Sequence, residues 1–300
     1  MLIQMRGSAS NVNPFVVQLT FHGDLDLFLK NSAARLIERN LKEKTSIKDV
    51  IESCGVPHPE VDLILVDGQP VGFGHVVTKS SEVDVYPVSW NHDTFLTENR
   101  LQALKIKSFV ADVHLGKLVR NLRLLGLDVA YDPSAEDREL IRFARADNPE
   151  TIGVSEPSSL VKPRQGVSRP NSQASGVHSR ALLTRDRRLL MHAVVSQGYY
   201  LRSQDPIEQT VEVLRRFQLS SSLAPFTRCL RCNALVVAVE KAEIFDQLEP
   251  LTKIYYEQFR RCPSCGQIYW PGSHFKKLEA RIAHLRQRLI FGLCNSPKSA

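Results

Sequence analysis

At 300 residues the chain can hold two or three compact domains, and with 43% hydrophobic and 24% charged residues it has the composition of a globular protein, not of a disordered or fibrous one. Six cysteines are too few for a disulfide scaffold of this length, no apolar run reaches the ~20 residues of a membrane span, and Met1 to Pro14 lacks the apolar core of a secretory signal. The expectation is a cytoplasmic protein without a membrane partner. Its formal net charge of +7 fits either a polyanionic partner, nucleic acid being the commonest, or a merely solvated surface.

Taken in chain order, residues 1–14 read as a disordered arm. Phe15 to Phe28 has partial β-alternation around His22-Gly23-Asp24 and predicts a hairpin. Ser46 to Ser53 predicts a short helix, with Ser46 as N-cap and Asp49 complementing the helix dipole in the first turn. Val61 to Val66 is a strand followed by an Asp67-Gly68 turn, and Val83 to Val88 is another strand. Residues 15–88 therefore form an α+β domain. Residues 89–106 are a linker with partial helical character.

The grammar then changes. Lys107 to Ala111 is a short strand ending at Asp112, and Leu115, Leu118, Val119, Leu122 and Leu125 follow at helical spacing up to Gly126. Val129 to Tyr131 is a second strand and Ala135 to Ala146 a helix. Ala181 to Thr184 is a strand, Arg187 to Ser196 a helix, and Gly198 to Leu201 a strand. Asp205-Pro206 caps a helix reaching Phe217. Strands alternating with helices across 107–220 predict an α/β domain with a parallel sheet covered on both faces. Residues 149–178, rich in Ser, Pro, Gly, Gln and Asn, read as a disordered insertion in that domain. Its Lys162, Arg164 and Arg169 either touch a phosphate backbone or belong to a passive loop.

Asp112 and Asp186 stand just past predicted strands, where parallel sheets bind ligands. Asp137 stands in the first turn of the helix between them. Three acids gathered from separate elements repel one another unless a cation neutralises them, and oxygen ligands with open positions suit Mg²⁺ or Mn²⁺. Such an ion can activate water and stabilise the leaving oxygen of a phosphodiester. Taken singly, each aspartate also fits a helix cap. The pattern alone leaves both readings open.

Near the C-terminus, Cys229-Leu-Arg-Cys232 and Cys262-Pro-Ser-Cys265 form two CxxC pairs. Four thiolates in paired knuckles suit tetrahedral Zn²⁺ better than two disulfides in a protein of a reducing compartment. Gly266 supplies the permissive backbone for the second knuckle. A fully thiolate-bound ion has no open position for water, so this zinc is expected to be structural.

Three segments occur together in a specific order. They are Phe109-Val-Ala-Asp112-Val-His-Leu-Gly116-Lys117-Leu-Val-Arg120-Asn-Leu-Arg123-Leu-Leu-Gly126-Leu-Asp128, then Leu182-Leu-Thr-Arg-Asp186-Arg-Arg-Leu, then Cys262-Pro-Ser-Cys-Gly266-Gln-Ile-Tyr-Trp270-Pro-Gly-Ser-His274. Over roughly 107–285 the chain resembles the Mut-seven C-terminal RNase family, a PIN-like nuclease fold with an appended zinc ribbon, here 225–290. The resemblance implies a metal-dependent ribonuclease in which Asp112, Asp137 and Asp186 are the catalytic acids. It makes Lys117, Arg120, Arg123 and Arg185 candidates for phosphate contact, and Thr184 a residue that orients a carboxylate or water or simply fills a strand position. The fourth acid common in PIN nucleases has no clear position: Glu136 and Asp205 are both candidates, and Asp205 equally fits a cap. The 149–178 insertion splits a segment that is normally short.

In the ribbon, Tyr269, Trp270 and His274 offer stacking on unpaired bases or packing within the module. The helix Phe275 to Ile290, with Lys276, Lys277, Arg281, Arg286 and Arg288, is a basic face suited to RNA. The N-terminal domain resembles the ubiquitin-like β-grasp of sulfur-carrier proteins through Ile64 to Val71 and Val83 to Val88. It lacks a free C-terminal Gly-Gly, because Val88 continues into Ser89-Trp90, so carrier chemistry is not expected. This domain either docks RNA, a protein or the ribosome, or is a passive fold. The rivals to a ribonuclease are a non-catalytic RNA- or ribosome-binding protein and an adaptor acting through the β-grasp.

Overall fold

Alternation of buried and half-exposed residues along Phe15–Phe21 (β1) builds the first sheet around Phe15, Val17, Leu19 and Phe21. The structure is a computed structural model describing residues 14–31, 35–89, 99–144 and 180–294. The expectations for residues 1–13, for the middle of the linker and for the 149–178 insertion lie outside it. β1 pairs antiparallel with Leu36–Leu41 (β2) and parallel with Ser81–Pro87. Ile47–Ser53 (α1) lays Ile47, Val50 and Ile51 on the same core. Ser46 caps α1, its hydroxyl accepting from the Asp49 N–H at 3.2 Å. Val61–Val66 (β3) pairs antiparallel with Ser81–Pro87 (β4) and turns back through Asp67 and Gly68, at φ 50° and 77°, onto Gln69–Pro70. A central parallel pair, antiparallel flanks and one helix across a face make the ubiquitin-like β-grasp.

The expected hairpin at Phe15 to Phe28 does not form. After β1 the chain enters a 3-10 helix, Gly23–Phe28, that buries Leu25 and Phe28, and the antiparallel partner of β1 is β2. Leu36-Ile-Glu-Arg-Asn-Leu41 gave no strand signal because it is an exposed edge strand with no buried residue.

The second sheet is wholly parallel. Its strands are Ser108–Ala111 (β5), Asp128–Ala130 (β6), Ala181–Thr184 (β7) and Gly198–Tyr200 (β8), in the spatial order β8–β7–β5–β6. Phe109, Ala111, Ala181 and Leu183 face one core, under Gly116–Leu124 (α2) and Pro206–Arg216; Val110 and Leu182 face the other, under Asp137–Ala144 (α3) and Arg187–Leu190 (α4). Asp205 caps Pro206–Arg216 (α5), its carboxylate accepting from the Ile207 and Glu208 N–H groups at 2.9 and 3.0 Å. α4 spans four residues, far short of Ser196. The chain leaves the helix so that Val195 is buried and its carbonyl meets His58 of the first domain at 2.6 Å.

A third sheet, Val237–Val239 (β9), Phe259–Arg261 (β10) and Ile268–Tyr269 (β11), follows. The long helix Ser273–Cys294 (α6) then returns to the parallel-sheet domain and adds Ile282, Leu285 and Leu289 to its core. Among the described residues no helix is long and apolar enough to cross a membrane.

Gly126 ends α2 at φ 89°, and a Cβ there would stand 2.1 Å from the Ala224 carbonyl oxygen. Gly126→Ala is therefore expected to destabilise the chain by about 3 kcal/mol, combining a left-handed backbone with a backbone clash. Urea unfolding would measure it, and a loss under about 1 kcal/mol would refute the close packing claimed for this turn.

Candidate active site and cysteine centre

β5 leads through α2 to β6 on one side of the sheet, and β7 leads through α4 to β8 on the other. The crevice between β5 and β7 is thus the point where the strand order reverses, the usual ligand position in such sheets. A cavity of about 750 Å³ opens there, and Asp112 and Asp186 both line it. Thr184, with 0% exposure, connects them: its hydroxyl donates to Asp112 Oδ2 at 2.7 Å and accepts from the Asp186 N–H at 2.9 Å. The Asp112 N–H donates to the Leu183 carbonyl at 3.0 Å, and the Asp186 carboxylate accepts from the Arg188 N–H at 2.7 Å. Asp186 therefore caps α4 as well as facing the cavity, whereas Asp112 makes no capping bond.

Lys117 and Arg185 line the same cavity, as do His114, Tyr131, Gln204 and Gln209, which the sequence reading did not single out. Tyr131 directly follows β6, so the rule that singled out Asp112 also pointed to it. Its hydroxyl donates to the Val113 carbonyl at 2.8 Å and sits 2.9 Å from where a Cβ of Gly116 would stand. Burial pushes its phenol up, opposed by Arg123 and reinforced by Asp112.

Asp137 opens α3 on the surface and is not part of the cavity wall. Glu136 is likewise exposed, and its N–H is capped by Glu139 at 3.1 Å. The position of Asp205 is that of a helix cap. Arg120 is exposed on α2 and Lys276 and Lys277 on α6, all outside the wall. Arg123, at 4% exposure, is engaged inside the protein. Its guanidinium donates to the carbonyls of Val129, at 2.8 Å, and Arg231, also at 2.8 Å, so it braces the first cysteine knuckle instead of facing a phosphate.

The four cysteines converge. One ligand atom from each of Cys229, Cys232, Cys262 and Cys265 lies within 4.8 Å of all the others, and no other such group of metal-ligating side chains occurs among the described residues. Cys229 and Cys265 sulfurs are 3.6 Å apart and those of Cys232 and Cys262 are 3.3 Å apart. These are free thiols, spaced close to the ~3.8 Å edge of a tetrahedron with Zn–S near 2.3 Å, so the donor set fits a structural zinc ion. Each knuckle closes on a left-handed residue, Asn233 at φ 73° and Gly266 at φ 75°. Burial raises the Cys229 thiol, but hydrogen bonds from the Tyr269 hydroxyl and the Cys232 and Arg231 N–H groups outweigh it and bring it to about 7. Tyr269 thus serves the knuckle, its oxygen also accepting from the Leu230 N–H at 3.0 Å.

Asp128 ties this module to the sheet. Arg180 donates to its two oxygens at 2.7 and 3.1 Å, and Asn233 donates to Oδ1 at 2.8 Å. Burial would raise the carboxyl, but these partners hold it below the ordinary aspartate value.

Acids and cations sharing one cavity at the switch point of a parallel sheet, in a chain that also carries a β-grasp and a four-thiol module, describe a nuclease-like multidomain protein. The family model described as the Mut7-C RNAse domain matches residues 107–172 and 171–282, and that described as Mut7-C ubiquitin matches residues 15–93. The chain belongs to the Mut7-C RNase domain family, with the ubiquitin domain preceding it. No curated protein and no solved structure matches the chain.

Proposed function

We propose that the chain is a cytoplasmic, divalent-metal-dependent ribonuclease whose catalytic domain has the PIN-like fold. The observation that carries this reading is the Asp112–Thr184–Asp186 linkage beside Lys117 and Arg185 in one cavity. Asp112 and Asp186 would hold Mg²⁺ or Mn²⁺, a hard cation suited to carboxylate oxygen. When bound, the ion supplies an activated water and charge compensation for the leaving oxygen. Thr184 fixes the Asp112 carboxylate and the Asp186 backbone. Lys117 and Arg185 receive the phosphate flanking the scissile bond. Asp137, outside the wall, adds negative charge from the first turn of α3. The four cysteines hold zinc, and the exposed Lys276, Lys277 and Arg286 of α6, with Arg120 of α2, provide a basic track for RNA beyond the cavity.

Metal dependence is the direct test. Full-length protein incubated with mixed single-stranded and structured RNA is expected to cleave in Mn²⁺ or Mg²⁺ and to stop in EDTA. Tight RNA binding without cleavage in either metal would replace this reading with the RNA- or ribosome-binding one.

A further inference from the structure

The edge of the nuclease sheet is closed by side chains from the other domain. β8 stands at that edge, next to β7 alone. An exposed strand edge normally needs a cover. Glu60, in the turn before β3, supplies it: Oε1 accepts from the Tyr200 N–H at 2.5 Å, and Oε2 accepts from Arg202 Nη2 at 2.7 Å. The same Nη2 donates to Asp24 Oδ2 at 2.9 Å, and Nη1 donates to the Tyr200 carbonyl at 2.6 Å. The guanidinium carbon lies 4.6 Å from the Tyr199 ring centroid. Glu60 is only 3% exposed, so losing its partner would leave a buried carboxylate uncompensated. Nearby, Arg187 Nη1 donates to the Phe28 carbonyl at 3.0 Å, adding another link between the domains.

Arg202 also stands two residues before Gln204, which lines the cavity. Its N–H donates to Glu212 Oε2 at 2.9 Å, and the Ser203 N–H donates to Glu212 Oε1 at 2.8 Å. Gln209 Nε2 donates to the Ser203 carbonyl at 3.0 Å. Gln204, the next residue, and Gln209 line the cavity that holds Asp112 and Asp186. The segment Arg202 to Gln204 is therefore clamped by α5 on one side and by the β-grasp domain on the other.

We propose that the ubiquitin-like domain sets the substrate-binding wall of the nuclease cavity through the Asp24–Arg202–Glu60 ion cluster, with Arg202 as a positioning residue. This assignment rests on the ribonuclease reading. It gives the domain a role in cis, using a surface that a detachable carrier or adaptor would leave open.

The test compares full-length wild type with Glu60→Gln, Arg202→Met and Arg202→Lys. Glu60→Gln keeps an acceptor for the Tyr200 N–H while removing the charge that holds Arg202. Hydrogen exchange at Ser203 and Gln204 is expected to quicken about tenfold in Glu60→Gln and Arg202→Met, with β5 unchanged. On a single-stranded RNA oligonucleotide KM should rise about tenfold while kcat stays within about threefold, and Arg202→Lys should fall between. Unchanged exchange at Ser203 and Gln204 would overturn the proposal. So would acceleration spread over the whole nuclease domain with KM unaltered, which marks a purely structural contact. If wild type cleaves no RNA, the ribonuclease reading falls, while the exchange data still decide whether the domain holds the wall.

Discussion

Asp112→Asn and Asp186→Asn are each expected to cut RNA cleavage about 10³-fold, ~4 kcal/mol of barrier, in a protein that remains folded. Both changes keep the side-chain shape and remove the charge. The amide oxygen introduced at position 112 still accepts the Thr184 hydroxyl, and an asparagine at position 186 still caps α4, because asparagine is as good an N-cap as aspartate. What disappears is the negative charge proposed to retain a divalent cation. Thr184→Val should be milder, about 10- to 100-fold, since the acids survive but lose their common hydrogen-bonding partner. It should also destabilise by about 1–3 kcal/mol, because the Asp186 N–H loses its acceptor next to a fully buried side chain. Single-turnover rates in Mn²⁺, read beside thermal melts, separate these effects. Full activity in both asparagine variants would move the catalytic centre away from this cavity.

Loss of the cysteine centre should have the largest effect on folding. A structural zinc site of this kind contributes about 10–16 kcal/mol of apparent binding energy, more than the small ribbon sheet can replace with its three-residue buried cluster of Ile244, Leu248 and Phe259. Cys262→Ser, or chelation of the wild type, is expected to melt the ribbon, release one zinc per chain and weaken RNA binding. The damage should spread inward, because the carbonyls of Leu230 and Arg231 that receive Arg123 belong to the first knuckle. Metal analysis and near-ultraviolet circular dichroism would follow the change. A Cys262→Ser protein that stays folded without zinc would remove the ion from the folding balance.

The nuclease sheet was largely legible in the sequence because its elements are local. Ala181 to Leu183 is a continuous apolar run followed by the polar Thr184, Arg185 and Asp186, and the helix between Leu115 and Gly126 has its own periodicity and its own stop. The two cavity aspartates followed from their place at strand ends. What could not be read locally depends on distant partners. β2 is polar enough to pass for a loop and is a strand only because β1 lies beside it. The helix after Asp186 stops at Leu190, and the turn beyond it carries the Val195 carbonyl to a histidine far back in the chain, a contact no local pattern announces. Arg123 looks like a solvated helix arginine until the knuckle folds over it, and nothing in its own turn of helix signals that burial. Asp137 has the opposite history: the family pattern singles it out, while the fold leaves it beyond the cavity wall.

The Arg123 brace has a consequence for how such proteins diversify. The arginine sits on α2, the helix whose first turn, Gly116 and Lys117, lines the cavity, and it reaches into the carbonyls of the cysteine knuckle. A module joined by a flexible tether can be exchanged by recombination with little cost to its host. This one is keyed: a transplanted ribbon would have to present two carbonyls at the same depth and angle or strand a buried cation. Exchange of the ribbon at this joint would therefore cost the Arg123 guanidinium two of its carbonyl partners.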